Sequence, residues 1–154
     1  LGAFGGMTAP ATPYLPWAGP DAAAPEGTST TTAAVRFSPV HTTRWQWSDG
    51  HWLQVDDLAA AGDEFRPVNL LVLRVTTRDA GYTDPAGNPV PETVLEGSGE
   101  ALLLTGGQAV SGRWSKSGLA APVQLRDLTG AALIVPPGRT WIELVPEAGS
   151  VEIG

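Results

Sequence analysis

From residue 33 onward, apolar and polar residues alternate in short runs, and turn-forming residues interrupt them at intervals of roughly ten positions. Period-two alternation with that spacing predicts strands folding back on one another in a β-sandwich or a distorted barrel. Residues 33–38 and 42–47 read as strands separated by Pro39. The Asp49-Gly50 pair tolerates the positive φ of a type I′ turn and predicts a hairpin. That turn sets Trp47 opposite Trp52 and Trp45 opposite Gln54. Side chains alternate along a strand, so Trp45, Trp47 and Trp52 share one face.

Residues 57–62 are compatible with a single helical turn, too short to be a structural helix. Residues 68–78 form the longest strand candidate, and their near-continuous apolar order predicts burial on both faces. Residues 79–91 read as a loop, with Asp84-Pro85 and Gly87-Asn88 as turn formers. A second hairpin is predicted about Gly106-Gly107. Its register sets Thr105 opposite Gln108, Leu103 opposite Val110 and Glu100 opposite Arg113, a favourable pair of opposite charges. Trp114 then covers Gly99, as an aromatic ring can rescue a strand glycine. Residues 122–127 and 131–135 read as strands about Leu128-Thr129-Gly130. A type II turn at Pro136-Pro137-Gly138-Arg139 leads into a strand at 140–145, and 151–153 add a short last one. The expectation is an all-β domain of nine or ten mostly antiparallel strands joined by hairpins, with at most one short helical turn.

Residues 1–32 differ. Five prolines, several glycines and a threonine run make them an irregular lead-in, or the tail of a preceding domain, before a β domain at 33–154. Tyr14, Leu15 and Trp17 could clip this segment onto the domain or onto a neighbour. Leu1 is no initiator, and the first seven residues lack a signal-peptide pattern, so the chain reads as a piece of something longer.

The net charge is −7 and only nine residues are basic, Lys116 being the single lysine. No basic stripe is present to displace counterions, which argues against nucleic acid and against anionic lipid. No apolar run approaches the ~20 residues of a membrane span, so direct membrane insertion by this chain is not expected. With no cysteine, a disulfide, a thiolate metal site and a cysteine nucleophile are excluded.

Other candidate chemistry is thin. His41 and His51 have Asp49, Asp56 and Asp57 nearby in sequence, yet zinc needs three or four converging ligands. Asp79, Asp84 and Asn88 crowd one loop without an EF-hand spacing. Ser115 and Lys116 point to opposite faces of a strand and cannot pair there. Gly97-Ser98-Gly99 is not a nucleophile elbow. Nothing selects a catalytic pair from Glu92, Glu96, Glu100, Glu143, Glu147 and Glu152. No catalytic residue, cofactor or metal is expected. Six tryptophans in 154 residues stand out. Trp45, Trp47 and Trp52 form either a core wall or an exposed platform for a sugar or peptide.

A longer pattern carries a resemblance. It comprises Val35-Arg36-Phe37-Ser38, Trp45-Gln46-Trp47 and Asn69-Leu70-Leu71-Val72-Leu73. Gly97-Ser98-Gly99-Glu100-Ala101, Gly107, Gly112-Arg113-Trp114-Ser115-Lys116, Asp127 and Gly130 follow, and Pro137-Gly138-Arg139-Thr140-Trp141-Ile142-Glu143-Leu144-Val145-Pro146 closes it. Across residues 33–147 this resembles the C-terminal domain of YerB-like bacterial lipoproteins, a domain of unknown function. The resemblance implies an extracytoplasmic domain of the cell envelope, with a lipid anchor upstream and an N-terminal domain as partner. Between Trp52 and Asn69 the chain departs from the family pattern, being shorter and richer in alanine and acid.

The expected function is a non-catalytic binding or interaction module whose partners include cell-wall glycan or peptide. Its candidate ligand-binding residues are Trp45, Trp47, Trp52, Trp114 and Lys116. The alternatives are a structural domain that positions the N-terminal domain, and a cell-wall-acting hydrolase.

Overall fold

The structure is a computed structural model and describes residues 13–55, 59–60 and 62–154. They form the strands β1 (Thr28–Ser29), β2 (Thr32–Ser38), β3 (His41–Ser48), β4 (His51–Gln54), β5 (Asn69–Thr83) and β6 (Pro89–Val94). The chain continues through β7 (Gly97–Thr105), β8 (Gln108–Lys116), β9 (Gln124–Asp127), β10 (Thr140–Pro146) and β11 (Ser150–Ile153). Half of the expected helical turn at 57–62, residues 57, 58 and 61, lies outside those described.

Two mostly antiparallel sheets result, and neither closes into a barrel. The larger runs β1-β8-β7-β5-β10, with β6 added on β5 and β9 on β8; the smaller runs β11-β2-β3-β4. Both tight hairpins adopt the anticipated register. Trp47 faces Trp52 and Trp45 faces Gln54. Asp49 and Gly50 take φ of 51° and 79°, and Gly106 and Gly107 take 57° and 73°. Positive φ at both central residues matches the right-handed twist of the flanking strands. In the second hairpin Glu100 faces Arg113 and Gly99 faces Trp114.

Three features go beyond what the sequence pattern predicts, the last two against expectation. First, β10 pairs in parallel with β5, Thr140 beside Asn69 through Pro146 beside Val75. No local turn announces such a pairing; it depends on where the intervening chain returns. Second, the expected loop at 79–91 is mostly sheet. β5 runs on to Thr83 and pairs with β6 across an irregularity between Asp79 and Thr83. Asp79 Oδ1 accepts the Gly81 N–H at that irregularity, and Asp84 Oδ1 accepts those of Ala86 and Asn88 at the turn. Pro89 and Pro91 are tolerated because β6 has one sheet neighbour, as an edge strand does. Third, residues 131–135 form no ladder. The Leu133 N–H donates to Leu125 O, the Val135 N–H to Pro16 O, and Val135 O accepts from Ala18. The segment thereby bonds alternately to β9 and to the lead-in.

Each face of the larger sheet buries its own core. Leu71, Leu73, Val75, Leu103 and Trp114 pack against Leu15, Val123, Leu125, Leu133 and Val135. Leu15 therefore anchors the lead-in on the domain. On the opposite face Leu70, Val72 and Leu104 pack against Ala33, Val35, Trp45 and Trp52 of the smaller sheet. The continuous apolar run of β5 needs both cores, as its pattern predicted. At the head of β5 the buried Asn69 donates to Pro136 O and to Thr140 Oγ1, and accepts from Thr105 Oγ1 at 2.7 Å. One amide thus ties β5 to β7, to β10 and to the turn before β10.

The turn after β9 is organised by Asp127. Its Oδ1 accepts from the Thr129 hydroxyl at 2.7 Å, from the Thr129 N–H and from the Ala131 N–H. These bonds, the Thr129 hydroxyl foremost, hold the carboxyl below its ordinary range. A carboxyl lowered by folding stabilises above its unfolded value, near pH 4, and loses that contribution as pH falls through its folded value. Asp127→Ala is therefore expected to melt below wild type at pH 7, with a difference that shrinks in acid. Melting curves of both proteins between pH 7 and pH 2 check this; a difference independent of pH would remove the charge from the explanation.

Candidate functional site

The five sequence candidates divide between the two cores. Trp45, Trp47 and Trp52 share the inward face of the smaller sheet, as the hairpin register requires. Trp45 and Trp52 are buried, and the half-buried Trp47 packs on Trp52 with centroids 5.3 Å apart. Trp52 Nε1 is buried without a hydrogen-bond partner among the described residues. Trp114 lies in the other core and donates from Nε1 to Arg74 O at 2.8 Å. Lys116 is buried as well, its ammonium donating to Gly118 O and Leu119 O. A ring must show a face to stack on a ligand. Trp45, Trp52 and Trp114 show almost none, and Lys116 is engaged in fastening the loop after β8.

A different aromatic group reaches solvent. Trp141 is 37% exposed and Phe65 41% exposed. Their centroids lie 5.5 Å apart, and Trp141 also tilts on the buried Trp45 at 5.6 Å. Offset, tilted contacts of this kind satisfy the ring quadrupoles and hold the rings in place. The Arg139 guanidinium stands 5.6 Å from the Phe65 centroid, close enough for a cation–π contact. Glu64 braces the loop that carries Phe65. Its Oε2 accepts the Gly62 N–H and lies 3.5 Å from Arg66 Nη2. Its carboxyl is lowered chiefly by its own backbone N–H, then by that of Gly62.

Beside this shelf lies the buried carboxylate of Glu143. Alternation along β10 places Trp141 and Glu143 on the same face. Glu143 Oε1 accepts from Trp45 Nε1 at 3.0 Å and from Thr43 Oγ1 at 2.9 Å. Two donors from β3 therefore hold a carboxylate of β10, which locks the smaller sheet onto the edge of the larger. The group comprises a pair of half-exposed rings and a cation, backed by a buried carboxylate that holds Trp45 in place. It can hold a ligand that has both an apolar face and hydroxyl or amide groups.

In the sequence Glu143 is one of six undistinguished carboxylates, and Trp141 belongs to the expected closing strand. Their i, i+2 spacing on one strand was the available signal. Phe65 could not be found that way, because it sits on a loop brought near β10 only by tertiary folding. Among the described residues no three His, Asp or Glu side chains are grouped to hold a metal. His51 Nδ1 lies 2.9 Å from Asp49 O, and His41 packs at 5.2 Å from Phe37. Asp56 and Asp57 lie outside the described residues.

Comparison with solved structures finds the crystal structure of YerB protein from Bacillus subtilis, with a TM-score of 0.59 at 18% identity. The match covers 82% of this chain and 46% of that one, so the chain spans under half the length of YerB. At that identity the likeness speaks for a shared fold. The search of curated proteins returns no match. The sequence model described as "Protein of unknown function (DUF3048) C-terminal domain" matches residues 33–142, from β2 to Ile142 in β10, and the chain belongs to that family.

Proposed function

We propose that the domain is a non-catalytic binding module of a bacterial cell-envelope lipoprotein, and that its Trp141–Phe65 shelf takes cell-wall glycan or peptide. The observation that carries this reading is the pair of half-exposed rings fixed against Trp45 beside the Glu143 carboxylate. Large rings left partly in water on an otherwise well-buried aromatic framework suit stacking on a sugar ring or a peptide plane. The proposed setting is the one the resemblance to YerB-like lipoproteins implies, an extracytoplasmic domain with a lipid anchor and an N-terminal domain upstream.

Iodide quenching of tryptophan fluorescence during titration with soluble peptidoglycan fragments tests the proposal. Quenching should fall on Trp17 and Trp141, the two most exposed tryptophans among the described residues. Fragments should protect Trp141. Trp141→Ala should weaken fragment binding about tenfold or more, equivalent to about 1.4 kcal/mol, with a small change in melting temperature. Recovering the fragments unaltered after incubation would separate binding from hydrolysis.

A second reading has its own support. The burial of Trp45, Trp52 and Trp114 and the docking of Leu15 suit a structural domain that positions its N-terminal neighbour. Fragments that leave Trp141 quenching unchanged would favour this reading over binding.

A further inference from the structure

The face of the larger sheet that meets the smaller sheet through Leu70, Val72 and Leu104 also carries a row of charges across four strands, at an exposed end of that face. Arg74 of β5 pairs with Glu100 of β7, Nε to Oε2 at 3.1 Å. Glu100 faces Arg113 of β8, and Arg113 faces Arg126 of β9. The order is positive, negative, positive, positive. The anticipated ion pair between Glu100 and Arg113 is not formed, because Arg74 takes the carboxylate. Arg74 is held there by bonds to Glu147 O and Gly149 O. Arg126 donates to Gly130 O, a neutral acceptor. Among the described residues neither Arg113 nor Arg126 has an ion-pair partner. Like charges directly opposite on neighbouring strands destabilise a sheet. The juxtaposition is notable in a chain with nine basic and sixteen acidic residues.

The row lines a groove of about 360 Å³ with Arg74, Glu100 and Arg113, beside Val72, Leu102, Val145, Val151 and Leu128, and Arg126 adjoins it opposite Arg113. That volume lies within the ~300–1,000 Å³ of small-ligand sites. A largely apolar groove in which Arg74 and Glu100 satisfy one another while Arg113 stays unneutralised, with Arg126 beside it, complements a ligand that carries a carboxylate next to aliphatic side chains. Arginine is suited to this, since its planar fork accepts a carboxylate through two parallel bonds.

We propose that the groove beside Arg113 and Arg126 binds an acidic peptide segment of a partner protein. A side-chain carboxylate bridges the two guanidinium groups, and a neighbouring aliphatic side chain lies on Val72, Leu102 and Val151. This site is separate from the aromatic shelf. The shelf uses the start of β10 at Trp141 and Glu143, whereas the groove uses its end at Val145. Occupation relieves the repulsion between Arg113 and Arg126, so the bound domain is more stable than the free one.

The test is fluorescence anisotropy of a fluorescein-labelled, C-terminally amidated Leu-Glu-Asp-Leu peptide, with Leu-Gln-Asn-Leu as the control and inorganic phosphate as competitor. The acidic peptide should bind below about 1 mM, the control at least about tenfold more weakly. Added salt should weaken binding, since the contacts are exposed. Arg113→Gln and Arg126→Gln should each reduce affinity about tenfold while melting at or above the wild-type temperature. Should either variant melt low, Arg113→Lys keeps the charge, removes the fork and should still weaken binding. No binding at about 1 mM, equal binding of the control, or affinity untouched by the variants would overturn the proposal. Phosphate that displaces the peptide at equal concentration would overturn the commitment to a peptide.

Discussion

Trp114→Ala is expected to destabilise the domain by about 3–5 kcal/mol, the range for deleting a large buried aromatic. The ring fills the core between the larger sheet and the segments that carry Leu15, Leu125 and Leu133. It also covers a strand position where a side chain has no room. A Cβ on Gly99 would stand 2.3 Å from Arg74 O and 2.7 Å from Trp114 Nε1. Alanine at 114 would therefore open a cavity, expose the backbone at Gly99 and leave Arg74 O without its indole donor. Domains of this kind have about 5–15 kcal/mol of stability in total, so the variant should be marginal. Trp114→Phe keeps most of the volume and loses the hydrogen bond, about 1 kcal/mol, plus a smaller packing term. Urea denaturation of the three proteins decides the matter. A cost below about 1 kcal/mol for alanine would mean that the ring is not a core element.

Glu143→Ala should cost about 1.5–3 kcal/mol, the range for hydrogen bonds to a charged group. Its removal leaves Trp45 Nε1 and Thr43 Oγ1 without their acceptor, the first in a buried setting. Glu143→Gln keeps an oxygen able to accept both bonds and should cost markedly less. The pair of variants separates two roles. If the side chain only joins the sheets, Glu143→Gln should bind wall fragments as wild type does. If its charge also contacts ligand, the glutamine variant should be stable yet bind weakly. Equal destabilisation by alanine and glutamine would show that the oxygen geometry described above is not what holds Trp45.

Local turn chemistry made much of the fold legible. Asp49-Gly50 and Gly106-Gly107 fixed two hairpin registers residue by residue, because a two-residue turn leaves one pairing open to the strands it joins. Glu100 shows the limit of that reasoning. Its cross-strand neighbour was foreseen, but a carboxylate has neighbours on both flanking strands. Arg74 wins it through anchoring at Glu147 O and Gly149 O, from residues far along the chain. The parallel docking of β10 on β5 was hidden for the same reason. The tryptophans illustrate a second limit. A shared face for Trp45, Trp47 and Trp52 followed from alternation, but which side of the sheet meets a second layer is a tertiary fact. Trp141 and Phe65 come together through long-range packing, which neither period nor spacing encodes.

The parallel pairing of β10 with β5 also bears on the order of events in folding. β10 completes one sheet and β11, three residues later, completes the other by pairing with β2. Both layers therefore wait on the same late stretch of polypeptide, and Val35 can meet its partner Val151 only after more than a hundred residues have been gathered in. Such high contact order makes closure slow, because the loop entropy is spent before the contacts that offset it exist. A chain emerging vectorially would hold two unfinished layers until residues 140–153 appear. The interval in which the edges of β2 and β5 stand open is then set by the rate at which the last strands arrive.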